Sequence, residues 1–380
     1  MSPLPHDDLG DRWRAARPAA AGVHLDSASC SRQSEAVLDA VARHARHEAE
    51  IGGYVAQGAA DGLLQQGRSV LAGLVGMAAA DVAFTESATA SLRTLLAAWR
   101  LPAGSRVAVL PGEYWHNVAA IEAVGCVPVL LPADGLGRAD VAGVERLLRT
   151  DPPALVHLTV VASHRGVVQP GREVAAACRA AGVPLVLDVA QALGHVDCDL
   201  GADAAYGTSR KWLAGPRGVG FLVVRPSVTA RLTPSTDPAR YDDGGAGVDH
   251  ARWYESHEGH VAGRVGLTLA IGEHLAAGPD RVRGRLAALG RATRERLDGR
   301  GGWRVVEPLD EPTAITTLVA PDGVDAREVS ARLRTGHGVL TAAPGRERAP
   351  RELAGPVLRV SPHLDATLDQ LDALAAVLAP

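Results

Sequence analysis

The chain has 380 residues, 39 basic against 43 acidic side chains for a formal net charge of -4, and 47% hydrophobic but only 3% aromatic residues. It is long enough for one large or two ordinary domains, and its charge balance argues against nucleic acid or an anionic membrane surface as a partner, since both need clustered excess positive charge. Acids and prolines fill the first thirty residues where a signal peptide needs an apolar core, no stretch reaches about 18 uninterrupted apolar residues, and the four cysteines form no CxxC pair, so a cytoplasmic protein without disulfide staples or a thiolate metal site is expected.

In chain order, residues 1–25 show no strong period and are expected to pack against a neighbouring domain rather than fold alone. Short β-branched runs bounded by Gly and Pro follow at 106–110, 126–132, 154–161, 183–188 and 218–224, with helix-like segments such as 138–149 and 170–181 between them. Alternation of this kind predicts an α/β architecture, a mostly parallel sheet covered on both faces, with ligands at the carboxyl ends of the strands. Beyond residue 270 the texture changes to a long helix over 267–299, strands at 303–307 and 314–319, a helix at 325–335, and a last strand and helix within 356–378. The expected division is an N-terminal segment 1–25, a large domain 26–270 and a smaller α+β domain 271–380.

Four segments at predicted strand ends carry chemistry. Phe84 to Ser91 passes from a strand into a helix through small and hydroxylated residues, among them Ala88 and Thr89, which reads either as a phosphate cradle or as a plain helix cap. Glu113-Tyr114-Trp115-His116-Asn117 places rings at a strand end, suited to stacking on a planar group or to ordinary packing. Asp188 closes an apolar strand with Gln191 three residues on; a carboxylate there needs a cation or strong donor, or else serves as a helix cap. The run Thr208-Ser209-Arg210-Lys211-Trp212 contains the only lysine of the chain, every other basic residue being arginine. A composition so averse to lysine keeps one where arginine cannot serve, and an amine that must lose its proton to form a Schiff base is such a place. Arg210 and the neighbouring hydroxyls suit a phosphate.

Together these segments resemble the pyridoxal-phosphate enzymes of fold type I, aminotransferase class V family, over nearly the whole chain. The resemblance implies a large, mostly parallel seven-stranded sheet domain and a smaller C-terminal α+β domain. It makes Lys211 the Schiff-base lysine, Asp188 the partner of the pyridine nitrogen and Gln191 a contact of the ring hydroxyl, with Ala88, Thr89, Thr208 and Arg210 around the phosphate. Tyr114 matches the ring-stacking position, with Trp115 as the alternative. Leu25-Asp26-Ser27-Ala28-Ser29 is similar to the family segment at the substrate carboxylate, which brings in Ala28, and Leu358-Arg359-Val360-Ser361 to the segment whose arginine grips that carboxylate. Ser163 stands where many members have an asparagine. A homodimer with the active site at the subunit interface is implied as well.

Departures narrow the activity. The histidine usual before the lysine is Arg210, and no cysteine follows Cys198, which disfavours a persulfide-carrying desulfurase. Residues 252–264, crowded with aromatic rings, carboxylates and histidines, include His257, Glu258 and His260; their spacing fits no zinc-protease pattern, and no metal is expected. Tyr54, Trp253 and Glu258 suit a cage for a quaternary ammonium group. Glu50-Ile51-Gly52-Gly53-Tyr54 and the segments at 113–117 and 208–213 are most similar to the carbon–sulfur lyase branch of actinobacterial ergothioneine biosynthesis. That branch implies β-elimination from a cysteine sulfoxide conjugate bearing a trimethylammonium group. Another class V activity (aminotransferase, epimerase or general cysteine-conjugate lyase) shares the same residues, and a regulator that binds the cofactor without turnover is the reading from another class.

Overall fold

A computed structural model describes residues 8–233, 250–256 and 258–378. Its central feature is a seven-stranded sheet in the order β2-β8-β7-β6-β5-β3-β4, built from β2 (Val82–Thr85), β3 (Arg106–Val109), β4 (Val127–Leu130), β5 (Leu155–Thr159), β6 (Leu185–Asp188), β7 (Ala204–Thr208) and β8 (Gly220–Val224). The β4, β3, β5, β6 and β7 strands run parallel, while β8 lies antiparallel between β7 and β2. Successive residues feed opposite faces: Leu187, Ala205 and Phe221 join one apolar cluster, and Val186, Tyr206 and Leu222 join the other. Burial on both faces is why these strands read as continuous apolar runs rather than alternating ones.

Helices cover the sheet, among them Ala88–Trp99, Trp115–Ala123 and Gly171–Ala181, and two long ones, Glu35–Ile51 and Gly53–Leu74, pack with Val261–Ala277. The helix expected over 138–149 begins only at Val141, because Ala139 is held in a bridge to Ala133. The single helix expected over 267–299 is two, Val261–Ala277 and Pro279–Leu297. Gly278, at φ +83°, breaks the run, and Pro279 brings no N–H to continue it but suits the first turn of the next helix.

Toward the C-terminus, β12 (Leu358–Val360), β10 (Thr316–Val319) and β9 (Arg304–Val305) form an antiparallel sheet, packed with helices Ala326–His337 and Leu368–Leu378. The N-terminal segment ties to this end of the chain. Its β1 (Val23–His24) pairs parallel with β11 (Val339–Leu340), and Asp26 bridges to Ser361. Ahead of it a helix, Leu9–Ala15, buries Leu9 and Trp13. No helix among the described residues is long and apolar enough to cross a membrane.

Candidate active site

The carboxyl ends of β5, β6 and β7, with the turns after β2 and β3, surround a cleft of about 620 Å³ including its open mouth. Ser87, Ala88, Thr89, Tyr114, Ser163, Asp188, Gln191, Thr208, Arg210 and Lys211 line it. The sheet topology therefore converges nine of the expected residues on one place from five segments of sequence.

At one wall the 12-residue helix Ala88–Trp99 opens under Ser87, whose hydroxyl accepts from the Ala90 amide. The amides of Ala88 and Thr89 lie in the first turn, where a helix offers unpaired donors and the positive end of its dipole. Thr208 and Arg210 reach the same cleft from the end of β7, and the Arg210 guanidinium, partly buried, adds a positive charge. Gly220 makes this wall possible: a Cβ there would lie 2.5 Å from the Ser87 carbonyl carbon and 2.8 Å from its Cα. Gly220→Ala is expected to displace Ser87–Thr89, costing about 1–3 kcal/mol by overpacking and weakening anion binding at the helix start. Gly73→Ala, with open space around its added methyl, is the control; thermal denaturation and a cofactor titration of both variants check the prediction.

Asp188 is buried, and its carboxylate accepts from Asn117 Nδ2 (2.9 Å), the Ala190 amide (2.8 Å) and the Tyr206 hydroxyl (3.3 Å). The bond to Ala190 satisfies the local turn, as a cap would. The other two come from distant strands and helices and leave the carboxylate on the cleft wall. Behind it lies a second carboxylate, Glu113, 1% exposed, which accepts from Asn117, Thr159, the Tyr114 amide and His157 at 2.8–3.0 Å.

Lys211 lies just after β7, its amine pulled by burial to about 7, with Asp188 opposing and Arg210, Arg359 and Arg348 aiding the shift. The segment around it is braced on both sides. Trp212 is stacked between His195 (3.7 Å) and His363 (5.8 Å), and His363 in turn on Trp13 (5.0 Å). Burial lowers both histidines to about 3, so the stack stays uncharged at neutral pH. Gln191, expected at a ring hydroxyl, borders the cleft with its amide committed: it donates to the Ala28 carbonyl (2.8 Å) and accepts from Trp212 Nε1 (2.9 Å). Ala28 itself is buried.

Tyr114, not the exposed Trp115, faces the cleft. Arg359, 2% exposed, is engaged from within: its Nη2 donates to Asp26 Oδ1 (2.7 Å) and Ser29 Oγ (2.6 Å), and Nη1 to the Ser163 carbonyl. The Ser163 hydroxyl is buried with no partner among the described residues. Tyr54, 75% exposed, meets Glu258 at 3.3 Å, while Trp253 sits in the short helix His250–Tyr254; none of the three lines the Lys211 cleft. His257 lies outside the described residues. Sequence reasoning missed Arg348, whose guanidinium sits 5.3 Å from the Tyr114 ring centroid and reaches the cleft, with no carboxylate paired to it among the described residues. It also missed the roles of Asn117, His157 and Tyr206. Arg348 is one of three arginines within Gly345–Arg351, with nothing local to single it out.

A dipolar anion cradle, an amine that burial makes easy to deprotonate and a buried carboxylate at the carboxyl edge of a doubly covered sheet define a fold type I pyridoxal-phosphate-dependent enzyme. The chain belongs to the class V aminotransferase family, whose model matches residues 23–374. It is 52% identical over 373 residues, 98% of this chain and 93% of the relative, to a probable hercynylcysteine sulfoxide lyase of Mycobacterium tuberculosis (strain CDC 1551 / Oshkosh). It is 30% identical to an isopenicillin N epimerase of Amycolatopsis lactamdurans over 94% of both chains. Among solved structures, the apo cysteine desulfurase of Thermococcus onnurineus NA1 superimposes with a TM-score of 0.83 at 18% identity, covering 100% of this chain and 98% of that one. The cystine C-S lyase C-DES, in complex with cysteine persulfide, gives 0.83 at 18% identity over 95% and 99%. The residues present fit pyridoxal phosphate: helix-start amides and Arg210 for a dianion, Asp188 for a ring N–H, Lys211 for the aldehyde carbon, and the unpartnered Ser163 hydroxyl as a spare donor on the same wall.

Proposed function

We propose that the chain is a carbon–sulfur lyase that cleaves hercynylcysteine sulfoxide by β-elimination to a sulfenic acid, pyruvate and ammonia, the sulfenic acid then passing to ergothioneine by a separate two-electron reduction with a reductant such as a thiol. The observation that carries this reading is 52% identity across nearly the full length to the probable lyase, joined to a cleft that holds a lysine lowered by burial to about 7 and a buried carboxylate. Bound pyridoxal phosphate supplies the electron sink for charge left on the substrate Cα.

The protein's own residues do the rest. Ala88, Thr89, Thr208 and Arg210 would hold the phosphate and Asp188 would accept the ring N–H, with Tyr114, Gln191 and Ser163 lining the same cleft beside them. Lys211, about half of it neutral at pH 7 and nearly all above it, takes the Cα proton as general base. The Cβ–S bond then breaks with its electron pair leaving on sulfur, where the oxygen stabilises the departing sulfenate; the enamine left behind hydrolyses in water to pyruvate and ammonia. Arg359 and the segment at Ala28 receive the α-carboxylate, and Arg348 adds positive charge at the mouth. Tyr54, Trp253 and Glu258 do not line the cleft of their own chain, so as a trimethylammonium cage they serve the partner's cleft in a homodimer. Epimerisation is the second reading, favoured by the epimerase relative: the same Lys211 proton removal, followed by proton return instead of C–S cleavage.

The test is to mix the cofactor-loaded protein with synthetic hercynylcysteine sulfoxide and follow the visible absorbance and pyruvate together, with no keto acid added. Pyruvate at turnover rates supports elimination. Exchange of the Cα proton with solvent, without pyruvate, moves the assignment to epimerisation.

A further inference from the structure

Behind Asp188 the hydrogen bonds close on themselves. Asn117 spends one amide hydrogen on Glu113 Oε1 and the other on Asp188 Oδ2, both at 2.9 Å. On the opposite side His157 Nδ1 meets Glu113 Oε2 at 3.0 Å, His157 Nε2 meets the Tyr206 hydroxyl at 2.8 Å, and Tyr206 reaches Asp188 Oδ2 at 3.3 Å. The five side chains come from β5, β6, β7, the turn after β3 and the helix that follows it, and all are buried, His157 and Tyr206 completely.

Counting protons fixes how many the ring holds, and the surrounding charge fixes where the extra one sits. A neutral His157 carrying its proton on Nδ1 leaves Nε2 as an acceptor, so the single Tyr206 hydrogen faces two acceptors and one bond fails. With one proton more on the Glu113–His157 pair, His157 Nε2 donates to the Tyr206 oxygen, freeing the phenol hydrogen for Asp188, and every bond is made whether that proton sits on Nδ1 or on the Glu113 carboxyl. Charge places that proton on His157. Burial alone would lower His157, but the Glu113 charge and hydrogen bond, with Asp188 beyond, outweigh it and raise the imidazole above its usual range. Glu113 is correspondingly held low against its own burial, and Tyr206 is pushed well up, first by burial and then by the two carboxylates, and stays a phenol. Two carboxylates and one imidazolium leave a net charge of one negative, which a protonated ring nitrogen on Asp188 cancels.

We propose that Glu113, Asn117, His157 and Tyr206 are positioning residues that lock a permanent positive charge behind Asp188 and so set how firmly Asp188 holds the ring N–H of the cofactor. The proposal rests on Asp188 being the partner of that nitrogen, and the experiment separates the two. The pH midpoint of the visible band is measured for the cofactor-loaded protein and for His157→Gln and Tyr206→Phe. Removing the buried cation raises the proton affinity of the groups around Asp188, so His157→Gln moves the midpoint up by about one unit. Tyr206→Phe, which removes a donor from Asp188, moves it the same way by less. Nitrogen-15 shifts of labelled histidine in the wild-type apoprotein, which depend on neither variant folding, show His157 doubly protonated at pH 8. Unchanged midpoints beside a lowered melting temperature, or a neutral His157 at pH 7, overturn the ring's role. Absence of any visible band in the wild type overturns instead the assignment of Asp188 and Lys211 to the cofactor.

Discussion

Lys211→Ala is expected to leave a folded protein without turnover and without the visible absorbance of lysine-bound cofactor, the rate falling by about a thousandfold or more, the range lost with a general base. Lys211→Arg should fare no better, because a guanidinium keeps its proton at every accessible pH. The fold survives because the segment does not hang on the amine: Trp212 is gripped between His195 and His363 and bonded to Gln191, and the Ser31 amide pins the Arg210 carbonyl. Burial brings the Lys211 amine to about 7, far below the 10.5 of an ordinary lysine. Its neutral, nucleophilic form therefore dominates above pH 7 and is lost as the pH falls below it. Rapid mixing of apoprotein with pyridoxal phosphate should show the capture rate rising from pH 6 to pH 8 and then levelling. A rate still climbing tenfold per unit at pH 9 would mean an amine that burial has not touched.

Lys211 was readable for a reason independent of structure: a chain that writes arginine everywhere else makes its one lysine conspicuous. Asp188 was readable because a carboxylate ends a run that must be buried. Five strands of the large sheet were legible as apolar runs and β2 as the strand leading into Phe84–Ser91, whereas β7 (Ala204–Thr208) was not read and the count of seven came from the family resemblance; the break at Gly278-Pro279 was also written in the residues, though the helical period on either side hid it. The ring behind Asp188 left no such trace. Glu113, His157 and Tyr206 lie on separate strands or turns, and a buried histidine inside Leu155–Thr159 has the same local pattern whether it is a packed side chain or a charged link. Only the strand order, which puts β5 and β7 on either side of β6, makes them neighbours.

Arg359→Ala is expected to do two things at once, and separating them decides what this arginine is for. Family resemblance gives it the substrate carboxylate. In the fold it already neutralises Asp26, whose side chain is only 13% exposed, and both hydrogens of Nη2 are used by Asp26 and Ser29. Truncating it strands a buried carboxylate, which costs about 3–5 kcal/mol, and removes a charge-assisted contact to substrate worth about 1.5–3 kcal/mol, roughly a 10- to 150-fold rise in KM. Adding Asp26→Asn to Arg359→Ala removes the stranded charge, so most of the lost melting temperature should return while the raised KM stays. That split would establish a cation that holds the N-terminal segment in place and still reaches substrate. Recovery of both stability and KM in the double variant would make Arg359 a strut for Asp26 alone and leave Arg348, which faces the cleft with no carboxylate partner among the described residues, as the cation that meets the substrate.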